Sequence, residues 1–350
     1  MNAAYQAIIS SSDDDRRDLF VTAASRFGTT VQNIEKDFWV CWTLDVLFHR
    51  LQSGGPRLLF KGGTSLSKGY GLISRFSEDI DITVFRTDIG EGATFEQLEA
   101  LSRRKKTEYL DGIKTACQAY IADKLRVELD ALAKETMEAA GRDPRLLHVV
   151  LDDDDPDCQS ILIHYPSAVE KSDYVPPRIK IEAGAKSAID PNEERIIAPY
   201  LAPDLPQGDE LAIKGVTTIQ PARTFLDKVL ILQGMTFYHT EKGVLRGNGR
   251  MSRHYYDVHR LMGASIGDEA CKDDKLIEDC VRHARMFFHR GHTGLDQAKR
   301  GSFYLRPTPE MCGPLRKDYD AMTTMIFGSV PTFEAVLESV ARAEEALNAV

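Results

Sequence analysis

Apolar side chains follow two spacings along the chain, one typical of strands and the other typical of helices. Short apolar or alternating runs predict strands at 57–61, 79–85, 146–151, 160–164 and 178–182. Helical spacing predicts helices over 11–27, 31–51, 94–141 (one long helix or two shorter ones), 221–232, from 252 onward, 273–289, 311–327 and 332–348. The predicted strands all fall in the first 190 residues, and the remainder is helical.

Prolines and glycines spread through polar sequence divide the chain near its middle. They cluster over 184–219, a composition typical of a connection between domains. We therefore predict an N-terminal α/β domain over 1–190, a crossover over 191–219 and a helical C-terminal domain over 220–350. This order indicates the α+β class, a mixed sheet with flanking helices that is followed by a helical domain.

The overall charge limits the partners that the chain suits. Its 350 residues carry a net charge of −9, which argues against a broad electrostatic surface for nucleic acid but leaves room for a local basic channel. The six cysteines form no Cys-X-X-Cys pair, so reduced structural thiols are expected. The N-terminus lacks a secretory signal pattern, and no stretch reaches the roughly 20 apolar residues that span a bilayer. We expect a cytoplasmic protein with no membrane partner.

A glycine-rich turn follows the first predicted strand. Gly62 and Gly63 interrupt the apolar run, and Thr64 or Ser65 is placed to cap the helix that follows. Glycines let backbone N–H groups approach a ligand closely, and the N-terminus of a helix favours an anion. The turn therefore predicts a phosphate cradle.

Two aspartates stand on the second predicted strand, 16 residues after Gly63. Side chains two apart on a strand share a face, so Asp79 and Asp81 are expected side by side, with Ser77 on the same face. Two carboxylates this close repel unless a cation lies between them, and Mg²⁺ takes one or two carboxylates plus substrate phosphates. An Asp-X-Asp pair also occurs on solvated strand edges, but its combination with the glycine turn predicts a metal and phosphate site.

The segments GGTSLSK and RFSEDIDI together resemble the AbiEii/AbiGii toxin family of nucleotidyltransferases, within the DNA polymerase β-type nucleotidyltransferase superfamily. The segment EKDFWV resembles the N-terminal signature of this family, although a packed helix with a few surface charges explains it equally well. The resemblance implies a polymerase β-like core that transfers a nucleotide from an NTP with Mg²⁺ and releases pyrophosphate. It also implies the toxin of a toxin–antitoxin or phage-defence pair, with a cognate antitoxin and with tRNA as the acceptor.

The resemblance implies roles for the residues of these motifs. Asp79 and Asp81 are implied to bind the metal, and they are implied to be catalytic together with Lys228 and Asp257. The residues implied to hold the nucleotide phosphates are Gly62, Gly63, Thr64 and Ser65, with Lys68 and Lys228 as helpers.

Three further residues are candidates with an alternative explanation. The resemblance implies that Glu182 is a third carboxylate or a supporting group of the nucleotide site, while the alternation in RIKIE equally fits a plain amphipathic edge strand. Asp257 lies one helical turn after Arg253, which equally fits an i,i+4 surface pair. A phosphate on Ser77 would add about −1.5 to −2 charge beside the aspartates, which makes Ser77 a candidate inactivation switch.

The most basic segment, residues 239–260, lies in the predicted helical domain. Besides Tyr255 and Tyr256 it carries five basic residues, Lys242, Arg246, Arg250, Arg253 and Arg260. Arginine planes and aromatic rings stack on single-stranded RNA bases while the charges contact phosphates. We therefore expect the 3′ end of an RNA, by the resemblance a tRNA, as the acceptor. The alternatives are a protein hydroxyl or a small molecule as the acceptor, or a degenerate nucleotide-binding regulator, against which the intact aspartate pair counts.

Overall fold

The computed structural model describes residues 2–169, 176–245, 249–289, 291 and 293–349. The chain divides into two compact units. Unit 1 consists of Met1–Gly69 with Ser77–Thr218, and unit 2 consists of Tyr70–Phe76 with Ile219–Val350. Unit 1 holds a mixed sheet and helices, whereas unit 2 is mainly helical, so the α+β class is confirmed.

The sheet is built almost entirely from unit 1. Its strands are β1 (Leu58–Lys61), β2 (Ile80–Val84), β3 (His148–Leu151), β4 (Ser160–His164), β5 (Arg178–Gly184), β6 (Asn192–Ile197) and β7 (Ile213–Ile219). Their order in the sheet is β3-β4-β5-β2-β1-β7-β6. β1 and β2 are antiparallel neighbours, while β2 runs parallel to β5 and β1 runs parallel to β7.

The structure confirms the five predicted strands and adds β6 and β7, which lie inside the segment predicted as a crossover over 191–219. The prolines of this segment precede β6 or lie between the two strands, so they do not interrupt either ladder. Ile213, Val216 and Ile219 are buried, and β7 pairs with β1. Because segment 191–219 is rich in proline, the sequence does not predict the edge strand β6 or the inner strand β7.

The helices of unit 1 precede and separate the first strands along the chain. They are α1 (Ala3–Ser10), α2 (Asp13–Phe27), α3 (Val31–Asp45), α4 (Gly62–Thr64), α5 (Phe95–Glu99), α6 (Arg103–Tyr120) and α7 (Arg126–Ala139). Helix α3 continues as a π-helical turn over Val46–Arg50, and α4 continues in the same way over Ser65–Gly69. Helix α3 is buried around its whole circumference, because 13 of its 15 residues are buried, charged ones included.

Unit 2 is a helical assembly. Its helices are α8 (Pro221–Lys242), α9 (Ser252–Gly263), α10 (Ile266–Ala270), α11 (Asp274–Phe287), α12 (Pro309–Met322) and α13 (Phe333–Asn348). Helix α9 packs against α8, α10, α12 and α13. The segment Tyr70–Phe76 joins this unit through backbone hydrogen bonds, in which Phe76 N donates to Met325 O and Phe327 N donates to Ser74 O, both at 2.7 Å. Across the described ranges, every helix falls short of the combined length and hydropathy that crossing a bilayer requires.

Candidate active site

The glycine turn leads directly from β1 into a helix. Gly62 follows the last residue of β1 and adopts a left-handed backbone with φ of +81°. The helix begins at Gly62 without a side-chain cap, so the prediction that Thr64 or Ser65 caps it is wrong. The hydroxyls bond elsewhere: Thr64 Oγ1 donates to Asp79 O, just before β2, at 2.5 Å, and Ser65 Oγ donates to Gly62 O within the turn at 2.9 Å. The first backbone N–H groups of this helix are thus the donors suited to a phosphate.

Asp81 packs its carboxylate against the backbone of Gly62. In the antiparallel register of β1 and β2, Asp81 lies opposite Lys61, whose Nζ is 4.0 Å from Asp81 Oδ1. A Cβ atom added to Gly62 would lie 1.9 Å from Asp81 Oδ2. Two features therefore favour glycine at this position: the left-handed backbone conformation and the space that the Asp81 carboxylate occupies.

Asp79 lies immediately before β2, because the strand begins at Ile80 and not at the predicted residue 79. Burial, followed by the charges of neighbouring carboxylates, raises the pKa of Asp79 to about 6. Those carboxylates belong to Glu78, Glu182 and Asp81, while Lys36 opposes the shift. Negative charge is thus concentrated at this end of β2.

Glu182 stands beside Asp81 on the neighbouring strand. The parallel register of β2 and β5 places Asp81 opposite Glu182, so the two side chains share a face of the sheet. Lys180 Nζ lies 3.3 Å from Glu182 Oε1 and 3.1 Å from Asp152 Oδ2. The amphipathic alternation predicted for this strand and the proximity of Glu182 to the aspartates are both present.

The acidic end of β2 fits a divalent cation, although the carboxylates do not yet converge on one point. Among the residues that the structure describes, no three His, Cys, Asp or Glu side chains are already arranged to hold one ion. Mg²⁺ needs only one or two carboxylates when substrate phosphates supply further oxygens. Burial and the neighbouring carboxylates disfavour the charged form of Asp79 and so raise its pKa, and a bound cation would offset both effects.

Lys68 points into the core of unit 1. Its Nζ lies 2.6 Å from Asp37 Oδ1 and 3.5 Å from the centre of the Tyr200 ring. Burial alone lowers the pKa of Lys68, but the Asp37 carboxylate and the nearby Cys41 and Tyr200 outweigh it and raise the pKa. The side chain is almost fully buried, and this pairing does not favour the predicted role as a phosphate helper.

Ser77 does not share the strand face of the aspartates, because it lies three residues before β2. Its Oγ is 2.9 Å from Thr64 Oγ1, and it is half-buried. The prediction that Ser77 lies on an extended strand is therefore wrong. The hydroxyl contacts the helix after the glycine turn instead.

Asp257 and Lys228 meet in unit 2, together with an arginine that the sequence did not single out. Asp257 accepts from Arg75 Nε and Nη2, both at 2.8 Å, and lies 2.8 Å from Lys228 Nζ. All three residues are buried. Burial alone raises the pKa of Asp257, but Arg75 and Lys228 hold the pKa well below its usual range. Asp257 thus pairs with Arg75 and Lys228, and the alternative of a surface pair with Arg253 is not what the structure shows.

The basic segment keeps only part of its predicted exposed charge, since Arg253 and Arg260 are half-buried, and it loses its predicted aromatic surface. Tyr255 and Tyr256 are 0% and 1% exposed, because α9 is enclosed by its neighbouring helices, so they cannot stack on RNA bases. Lys242 and Arg250 are exposed, whereas Arg246 lies outside the described residues. Helix α9 is capped from α12, where the carboxylate of Asp318 accepts from Arg250 N at 2.5 Å and from Ser252 N at 2.7 Å.

A cavity of about 420 Å³ lies at the opposite end of the first two strands. Its lining includes Arg57, which precedes β1, and Phe85, which follows β2. Asp81 and Gly62 lie at the other ends of these strands. The cavity is therefore distinct from the acidic site.

In this mixed sheet a glycine turn leads from β1 into a helix, and an aspartate pair stands at the start of the antiparallel neighbour β2. This is the arrangement that the nucleotidyltransferase class predicts. The family model described as "Nucleotidyl transferase AbiEii toxin, Type IV TA system" matches residues 45–339. The chain belongs to this family, and it is accordingly a nucleotidyltransferase toxin of a type IV toxin–antitoxin system. Membership implies an NTP substrate and a cognate antitoxin.

One solved structure with a distant likeness is MenT4, a nucleotidyltransferase toxin from Mycobacterium tuberculosis H37Rv. It shares 15% sequence identity, with a TM-score of 0.47 over 95% of this chain and 90% of that chain. No curated protein matches the sequence significantly.

Proposed function

We propose that the protein transfers a nucleoside monophosphate from an NTP to the 3′ end of an RNA, a tRNA in particular, in a reaction that requires Mg²⁺. The observation that carries this proposal is the contact between the Asp81 carboxylate and the backbone of Gly62. It joins a carboxylate suited to a metal to a helix N-terminus suited to phosphates. Asp79 adds the second carboxylate.

The proposed site divides the work between carboxylates and backbone groups. Asp79 and Asp81 hold Mg²⁺, with Glu182 as a third carboxylate or a supporting group. Backbone N–H groups of the turn formed by Gly62, Gly63, Thr64 and Ser65 hold the β- and γ-phosphates. When bound, Mg²⁺ supplies charge neutralisation to the phosphates and orients them.

The proposed reaction is a substitution at the α-phosphorus. A hydroxyl oxygen of the acceptor forms the new bond to phosphorus, the bond from that phosphorus to the bridging oxygen of the β-phosphate breaks, and pyrophosphate leaves as the hydroxyl loses its proton. Catalysis of this kind rests mostly on positioning and charge stabilisation. Lys228 and Asp257 remain candidates through the family resemblance alone, because the Lys228 ammonium is buried and paired with the Asp257 carboxylate at 2.8 Å.

RNA as the acceptor is supported by exposed cations in a chain that is acidic overall. Lys242 and Arg250 are exposed in unit 2, and cations of this kind bind phosphates with a steep salt dependence. Burial of Tyr255 and Tyr256 removes the stacking argument, so the proposal relies on charge alone. A protein hydroxyl or a small molecule is the alternative acceptor, and the net charge of −9 favours it.

The acceptor is tested by incubating the protein with each α-labelled NTP, Mg²⁺ and, separately, total RNA, protein extract or small hydroxyl compounds. We expect label in RNA, and we expect Lys242→Glu/Arg250→Glu to lose most of that labelling while NTP binding is kept. The matched control is Arg103→Glu/Lys105→Glu on the exposed surface of α6, which makes the same change in net charge. Equal RNA labelling by both double variants, or label only in protein or small molecules, would exclude this mode of RNA recognition.

A further inference from the structure

Three consecutive charged residues of helix α3 are buried, which is a costly arrangement for charges. Glu35, Lys36 and Asp37 are 2%, 3% and 3% exposed. Successive residues of a helix point about 100° apart, so the three side chains leave α3 in different directions. Buried charges persist only when they are paired or hydrogen-bonded, and the partners of these three residues all lie in unit 1.

Asp37 is bonded to the helix that follows the glycine turn. Its Oδ1 lies 2.6 Å from Nζ of Lys68, which stands in the π-helical continuation of α4. Its Oδ2 accepts from Tyr200 N at 2.6 Å. One carboxylate therefore connects α3 to the element that begins at Gly62.

Lys36 is bonded to the segment that carries the aspartate pair. Its ammonium forms an ion pair with Glu78, the residue immediately before Asp79. Glu78 is mostly buried, with 18% of its side chain exposed. Lys36 thus holds the backbone next to Asp79 and balances a carboxylate that otherwise adds to the negative charge of the site.

Glu35 completes the set on a fourth segment. Its carboxylate accepts from Ser167 Oγ at 2.5 Å and from Ala168 N at 2.6 Å. The three residues therefore bond α3 to four separate segments of unit 1. Two of those segments carry the proposed phosphate-binding turn and the proposed metal-binding pair.

We propose that Lys36 is a positioning residue for nucleotidyl transfer, which fixes Asp79 for metal binding by holding the adjacent Glu78. This inference rests on the proposed function of Asp79 and Asp81. Residues that orient metal ligands without touching the metal typically contribute a factor of about 10 to 100 in metal affinity or activity.

The test uses a variant that deletes the ion pair without changing the net charge. Lys36→Met/Glu78→Gln removes one positive and one negative charge, so a change in metal affinity reports lost positioning rather than altered net charge. The matched control is Lys114→Met/Asp157→Asn, which deletes an exposed ion pair of unit 1 with a 2.6 Å separation. Mn²⁺ binding to the nucleotide-free proteins is measured by calorimetry, and the turnover number is measured with saturating NTP.

We expect Lys36→Met/Glu78→Gln to bind Mn²⁺ about tenfold more weakly than wild type and to turn over about tenfold more slowly, while the control variant matches wild type in both. Wild-type Mn²⁺ affinity in Lys36→Met/Glu78→Gln, or an equal loss in the control, would overturn the inference. If the double variant does not fold, Glu78→Asp takes its place, because it keeps the charge but shortens the arm that reaches Lys36. Glu78→Asp should also weaken Mn²⁺ binding, and unchanged binding overturns the inference.

The binding measurement separates this inference from the proposed function. A wild-type protein that binds Mn²⁺ but labels no acceptor contradicts nucleotidyl transfer by this site. The Mn²⁺ comparison between the two double variants still decides whether Lys36 positions Asp79.

Discussion

Substitution of Gly62 by alanine tests the contact on which the proposed site depends. Gly62 has a φ of +81°, which a residue with a Cβ rarely adopts. The new Cβ would lie 1.9 Å from Asp81 Oδ2, whereas ordinary contact begins at 3.4 Å. The carboxylate must therefore move by the difference of 1.5 Å, or the backbone of the turn must move instead.

The two consequences have different magnitudes. The left-handed backbone costs an alanine about 1–2 kcal/mol of the free energy of unfolding. Displacement of the carboxylate affects catalysis more strongly, because a misplacement of about 1 Å in a catalytic arrangement can lower the rate on the order of 100-fold. We therefore expect Gly62→Ala to be folded, modestly less stable, and about 100-fold slower in nucleotide transfer.

Gly54→Ala is the matched control for backbone strain. Gly54 has a similar φ of +91°, and nothing lies within 4 Å of the position of its added Cβ. It should lose a comparable amount of stability, measured by thermal unfolding, and keep wild-type transfer from a labelled NTP. Wild-type activity in Gly62→Ala, or an equal loss of activity in both variants, would refute the argument that this glycine makes room for Asp81.

Three further predictions concern buried charges. The pKa of Asp79 is raised from 3.8 to about 6 in the folded protein, so the charged carboxylate makes the fold less stable as pH rises through that range. Asp79→Asn should therefore raise the melting temperature of the metal-free protein at neutral pH but not near pH 4. The same difference in melting temperature between variant and wild type at both pH values would contradict this. Lys68→Met leaves Asp37 buried without its cation and should cost about 3–5 kcal/mol of unfolding free energy. A variant that keeps wild-type stability but binds NTP poorly would instead support the predicted contact of Lys68 with the phosphates. Asp257→Asn leaves two buried cations without their carboxylate and should cost about as much (~3–5 kcal/mol) in a denaturant titration, so a neutral effect would show that the cluster does not stabilise unit 2.

The local parts of the site followed from the sequence. Spacing alone predicts a glycine turn before a helix and an aspartate pair at the next strand, because both motifs lie within 25 residues and depend on short-range geometry. Only Asp79 falls outside that strand, by one residue. The pairing of Asp81 with Glu182 was reached only through the family resemblance. The register between β2 and β5 depends on chain segments about 100 residues apart, and periodicity carries no information on it.

The partners of charged residues were the main failure of sequence reasoning. The sequence motif predicts that Lys68 contacts phosphates, but its partner Asp37 lies on α3, and the motif does not predict this ion pair. The sequence predicts Tyr255 and Tyr256 on a basic surface, but the four neighbouring helices α8, α10, α12 and α13 enclose α9.

One signal of the missed residues was present in the sequence. Glu35, Lys36 and Asp37 occur in a helix whose other residues are largely apolar on every side, EKDFWVCWTLD. Charges embedded in such a helix must be paired when it is buried. That pattern indicates buried ion pairs, although it does not name Glu78 or Lys68 as the partners.

The central claim is that Asp79 and Asp81, beside the Gly62 turn, form a metal-dependent nucleotidyl-transfer site. Its most direct test measures transfer of label from each α-labelled NTP into total RNA by wild type, Asp79→Asn and Asp81→Asn, with Mg²⁺ and with excess EDTA. We predict label and stoichiometric pyrophosphate from wild type with Mg²⁺, and neither product from the folded aspartate variants or in EDTA. Undiminished transfer by Asp79→Asn or Asp81→Asn, or transfer that persists in EDTA, would contradict it.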